Sequence, residues 1–182
     1  RDDFCTRLAA RFPHLSFVSF GAVVPAGLAS RPGFVGTELL TEEQVDVLGS
    51  PAEARRLQAL APATVEVTTT DNFALQMRPD MVRSGRFFPA MQVEPDGAVR
   101  AMPVYEGTVG NLLTEPPDVL WRRCVARWSD PFVTETLAGV RTMAQWAEAA
   151  RRIDYRFGSD EVRARIDRRP AFPVVAAAGG AR

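Results

Sequence analysis

The stretch "HLSFVSFGAVVP", His14 to Pro25, sets the tightest limit on what this chain can fold into. Leu15, Phe17, Val18, Phe20, Val23 and Val24 form a nearly continuous apolar run. A strand with one wet face alternates apolar and polar residues, whereas a strand covered on both faces does not. The run therefore predicts a strand buried on both faces, as in a parallel sheet. Before it, Phe4, Leu8, Ala9 and Phe12 recur at helical spacing, so residues 2–12 read as a helix that Pro13 stops. After it, "PAGLASRPGFVG" is a loop rich in Gly and Pro. Thr41 and Gln44 form a capping box that opens a helix over 42–48. Ser50-Pro51 opens another, with Leu57 and Leu60 on its apolar side. "ATVEVTTT" alternates and predicts a strand.

The second half changes character. "DNFALQMRPDMV" reads as a short helix capped by Asp71 and interrupted at Pro79. "RFFPAMQVE" and "AVRAMPVY" are strands joined by the turn Pro95-Asp96-Gly97, and Gly110-Asn111 is a second turn. "PPDVLWRRCVARW" is a helix with Leu120, Cys124 and Val125 on one face and Trp121 and Trp128 near its edges. The clearest helix runs from Thr142 to a C-cap at Gly158, and Ser159 caps a further short one. The tail "AAAGGAR" reads as loose. The fold class expected is α/β: a helix–strand–helix piece, residues 1–62, joined to a small α+β hairpin-and-helix extension, residues 63–182.

Charge excludes several functions. Basic and acidic residues balance at 22 each, so there is no long-range field to gather nucleic acid or anionic lipid. Every basic residue is Arg, and Schiff-base or P-loop chemistry, which needs a lysine, is beyond this stretch alone. Cys5 and Cys124 make neither a disulfide framework nor a four-ligand metal site. With no leader and no apolar run long enough to cross a bilayer, the expected compartment is the cytoplasm. The helix already under way at Arg1 suggests a larger protein of which this is a part.

One ordered series goes beyond these generalities: "VEPDGAVRAMPV", a short loop, "GTVGNL", then a helix carrying "VLW". Through Pro95, Asp96, Gly97, Val99, Gly110, Asn111, Leu112 and Trp121 it resembles the SPASM or twitch extension of radical S-adenosylmethionine enzymes. Upstream, "FVSFGAVVPAGLASR" resembles the last strand and loop of that family's partial (β/α) barrel, and "LLTEEQVDVL" the helix that leaves it. The likeness covers roughly residues 1–130. It implies the end of a partial barrel followed by the extension, and a complete enzyme that uses S-adenosylmethionine and one [4Fe–4S] cluster to abstract hydrogen from a peptide or natural-product substrate. The three cluster cysteines, in a C-x3-C-x2-C pattern, would lie in the missing N-terminal barrel half, so this part alone would be inactive.

The departures are specific. Met102 stands where the family's hairpin carries a cluster-binding cysteine, and no cysteine lies near 85–88. Thioether is a poor substitute for thiolate in holding cluster iron, so no auxiliary cluster and no metal ligand are expected here. Met91, Met102, Val104 and Tyr105 would fill the space instead. The resemblance implies that Val23, Val24, Pro25 and Gly27 flank the adenine of the cofactor. Asp71, Asn72 and Arg78 are candidate substrate contacts, with Arg83 and Arg86 beside them for a carboxylate. Each has an ordinary alternative: strand and turn for the first set, helix cap and solvated loop for the second. His14 reads as a surface residue, Cys5 and Cys124 as buried structural thiols. The alternative to an enzyme is a cluster-free module that binds a peptide or partner through a hairpin edge.

Overall fold

The structure is a computed structural model, and it describes residues 3–31, 33–70, 81–82, 84–86 and 90–171. In chain order its elements are α1 (Phe4–Arg11), β1 (Phe17–Gly21), a 3-10 turn (Gly27–Ser30), α2 (Phe34–Thr37), α3 (Glu42–Leu48), α4 (Pro51–Ala59) and β2 (Glu66–Thr70). There follow β3 (Gln92–Val93), β4 (Ala98–Arg100), β5 (Thr108–Asn111), α5 (Pro117–Trp128), α6 (Pro131–Ala138), α7 (Met143–Phe157) and α8 (Asp160–Asp167). The fold is thus mixed helix and sheet; among the described residues the sheets are one parallel pair and one antiparallel triplet. No helix among them is long and apolar enough to cross a membrane.

Two compact units emerge, residues 1–23 with 40–72, and residues 24–39 with 73–182. The loop after β1 is grouped with the second of these units.

In the first unit β1 and β2 run parallel, Phe17 opposite Glu66 through Gly21 opposite Thr70. A parallel pair needs a crossover, which here includes α3 and α4. Both helices start as the sequence dictates. Thr41 Oγ1 accepts from the Gln44 N–H while the Gln44 side chain accepts from the Thr41 N–H, and Ser50 accepts from the Glu53 N–H. Cys5, Val65 and Val67 form the core, joined by Leu15, Val18, Phe20 and Leu57. Burying a valine such as Val65 contributes about 1.5–3 kcal/mol.

The expectation of a strand covered on both faces needs correction. Only the Val18–Phe20 side of β1 faces this core; Phe17 is half exposed, because among the described residues no layer lies over its side. The two sheet edges also differ. Gln58 reaches from α4 to the outer edge of β2, accepting from the Val67 N–H at 2.8 Å and donating to the Val65 carbonyl at 3.0 Å. The outer edge of β1 has no ladder partner among the described residues.

In the second unit β3, β4 and β5 form an antiparallel sheet in that order. Gly97, in the Asp-Gly turn, has φ +82°, the left-handed region that glycine adopts without steric penalty. Three sequence readings change here. The second hairpin strand ends at Arg100 rather than Tyr105. A register shift breaks the ladder at Val99/Arg100, and the Ala101 carbonyl accepts instead from the Trp128 indole at 2.9 Å. Gly110-Asn111 is the end of β5, and the turn follows it: the Asn111 side chain accepts from the Leu113 N–H, and its carbonyl from the Glu115 N–H. Helix α6, unanticipated, starts where Asp130 caps Pro131, its carboxylate accepting from the Phe132 N–H at 2.8 Å. Leu120, Cys124, Trp128, Val133, Leu137, Met143, Trp146 and Ile153 build the core of this unit.

Candidate functional site

The hairpin that carries the family resemblance is filled with side chains. Met102 is 1% exposed and Tyr105 is buried, with Met91 and Val104 half-buried. Tyr105 Oη accepts from the Trp146 indole at 3.1 Å. Burial pushes the Tyr105 phenol well above its ordinary range, against the opposing Trp146 hydrogen bond. Cys124 is buried on α5 with its thiol 3.8 Å from the Arg100 carbonyl, and burial raises its pKa. Among the described residues no three His, Cys, Asp or Glu side chains gather as metal ligands would. Met102, at the position discussed above, is a packed thioether.

Beyond β1 the chain passes from the first unit at Val23 to the second at Val24. Val23 is half exposed, Val24 half-buried and Pro25 buried. The Ala26 N–H bonds back to the Val24 carbonyl at 2.8 Å, and Gly27 follows with φ +56°. A Cβ placed on Gly27 would meet nothing within 4 Å, so the backbone there borders open space. His14 is exposed and Cys5 is buried. Arg86 is exposed, while Asp71, Asn72, Arg78 and Arg83 lie outside the described residues.

What holds this loop is a polar network that sequence reasoning does not reach. Arg169, beyond α8, donates through Nη1 to the Gly27 carbonyl at 2.9 Å and lies 3.5 Å from Ser30 Oγ. Ser30, fully buried, itself donates to the same carbonyl at 2.8 Å. The Arg169 guanidinium pairs with Glu106, and both side chains are nearly enclosed, 8% and 15% exposed. Arg165 pairs with the other Glu106 oxygen from a more exposed position. The Glu106 N–H donates to Asp154 Oδ1 at 2.8 Å. Asp154 projects from α7 into the interior with no exposed surface, and its Oδ2 has no hydrogen-bond partner among the described residues. Burial raises its pKa to about 7; the Glu106 N–H opposes this, the Glu106 charge adds to it, and Arg169 and Arg100 oppose it.

The arrangement can fix a loop and hold a proton, but it presents no nucleophile. Comparison with models of known protein families, with curated proteins and with solved structures yields no match to this chain.

Proposed function

We propose that this chain is the C-terminal part of a radical S-adenosylmethionine enzyme acting on a peptide or natural-product substrate in the cytoplasm. The ordered hairpin series supports it, and one structural observation carries most weight. Among the described residues the parallel pair is met by Gln58 on the β2 side and has no strand beside β1. Parallel sheets are buried structures, and a lone pair with one free edge suits a sheet that continues through strands beside β1.

In this reading Val24, Pro25 and Gly27, together with Val23, line the adenine. When bound at its [4Fe–4S] cluster, S-adenosylmethionine supplies a reductive cleavage that initiates hydrogen abstraction from substrate. The residues of this chain bind and orient. Gly27 lets its backbone approach the ring, Pro25 stiffens the rim, and Arg169 and Ser30 hold the Gly27 carbonyl so that the rim keeps its shape. Asp71, Asn72 and Arg78 are the proposed substrate contacts. Met102 and its neighbours fill the hairpin in place of an auxiliary cluster.

The test is turnover by the complete protein, prepared without oxygen and given a reductant. 5′-Deoxyadenosine and methionine in equal amounts support the reading. Their absence, with no C-x3-C-x2-C loop encoded upstream, contradicts it and favours a cluster-free binding module.

A further inference from the structure

A second feature of the C-terminal unit lies apart from the loop after β1. A cleft of about 410 Å³ opens on the surface between Phe132 of α6, Tyr155 of α7 and Ile166 of α8, rimmed by Arg151, Arg152 and Arg156. It is shallow and open to solvent, so a ligand would lie along it rather than be enclosed. Phe132, which lines it, packs edge-on against Phe157 at 6.1 Å and 79°. The Arg152 and Arg156 guanidinium carbons stand 5.7 and 6.0 Å from the Phe132 ring centroid. A guanidinium held near a ring still has N–H donors for a carboxylate.

The charge balance gives the cleft a direction. Arg151 is paired with Glu148, but neither Arg152 nor Arg156 has a carboxylate partner among the described residues. Two arginine edges beside an apolar floor match alternating carboxylates and apolar side chains. A nucleic-acid strand is a poorer match. Its continuous phosphates require an extended basic track, whereas this cleft is rimmed by three arginines of a single helix.

We infer that the Phe132–Tyr155–Ile166 cleft docks an acidic peptide segment, seating an apolar side chain on Phe132 and pairing its carboxylates with Arg152 and Arg156. The inference stands on the cleft alone and is read by binding, so it survives or fails separately from the radical chemistry proposed above.

The probe is a short fluorescein-labelled peptide of glutamates flanking one leucine and one phenylalanine, titrated with the 182-residue chain and followed by polarisation. Saturable binding is expected, weakened by salt. It should weaken at least about tenfold when glutamine replaces the glutamates or when the protein carries Arg152→Gln and Arg156→Gln. Tyr155→Ser, at an exposed wall position, should weaken it without shifting the melting curve, and provides a second arm should the double variant misfold. Absence of saturable binding, equal binding by the folded double variant, or tighter capture of an oligothymidylate than of the peptide overturns the proposal.

Discussion

Arg169 donates a hydrogen bond to the carbonyl of Gly27, a residue 142 positions earlier, while the same guanidinium pairs with Glu106. One side chain from beyond the last helix thereby fixes both the loop after β1 and the segment between β4 and β5. Removing one partner of an enclosed ion pair leaves a charge stranded. Arg169→Ala or Glu106→Gln is therefore expected to destabilise the C-terminal unit by about 3–5 kcal/mol, read by chemical denaturation. Arg169→Ala should also speed hydrogen exchange at Ala29 and Arg31, whose N–H groups bond within the loop. Arg165 meets the same carboxylate from a side chain 59% exposed, and Arg165→Ala should cost no more than about 1 kcal/mol.

Asp154 gives the fold a pH dependence of predictable sign. Its folded pKa, about 7, lies above the unfolded value of 3.8. Between these values the folded state binds more protons, so this group's contribution to stability falls as pH rises from about 4 to about 7 and is fully lost above that. Asp154→Asn removes the ionisation while keeping an oxygen for the Glu106 N–H. Its stability relative to wild type should improve with pH across this window by on the order of 2–4 kcal/mol. A difference that stays flat from pH 4 to pH 8 contradicts the assignment.

The hairpin turn couples Gly97 to Asn111. A Cβ on Gly97 would lie 2.6 Å from Asn111 Oδ1 and 2.7 Å from Leu113 Cγ, besides forcing a side chain into positive φ. Gly97→Ala should cost about 2 kcal/mol or more. Asn111→Ala loses the bonds to the Asp96 carbonyl, 3.1 Å, and from the Leu113 N–H, 2.8 Å, and should cost about 1–3 kcal/mol. Because the added methyl displaces the same amide, the double mutant should lose less than the sum.

Tyr105→Phe takes the hydroxyl acceptor from the buried Trp146 indole N–H. A loss of about 1–3 kcal/mol is expected in thermal unfolding, with a shift in Trp fluorescence.

The parts that could be read from sequence are those whose physics is local. Thr41 with Gln44, and Thr142 with Gln145, form the reciprocal bonds their spacing implies, and Pro51 and Pro117 sit in first turns. Non-local competition decided the rest. The Ala101 carbonyl leaves the strand ladder for an indole 27 residues away, which no hairpin pattern encodes. The site network joins Glu106 to Asp154 and to Arg169 across 48 and 63 positions. Asp154, beside Ile153 on the buried face of the amphipathic helix "WAEAARRIDYRF", is the available signal, since a carboxylate on a buried face must find a partner.

The most direct measurement is an iron count on the complete protein prepared without oxygen, beside the 182-residue chain. One [4Fe–4S] cluster, about four iron atoms per complete chain, with none in the shorter chain, is the result this account predicts. An iron-free complete protein contradicts the enzymatic reading, and about eight iron atoms, or stoichiometric iron in the shorter chain, contradicts a hairpin filled by Met102.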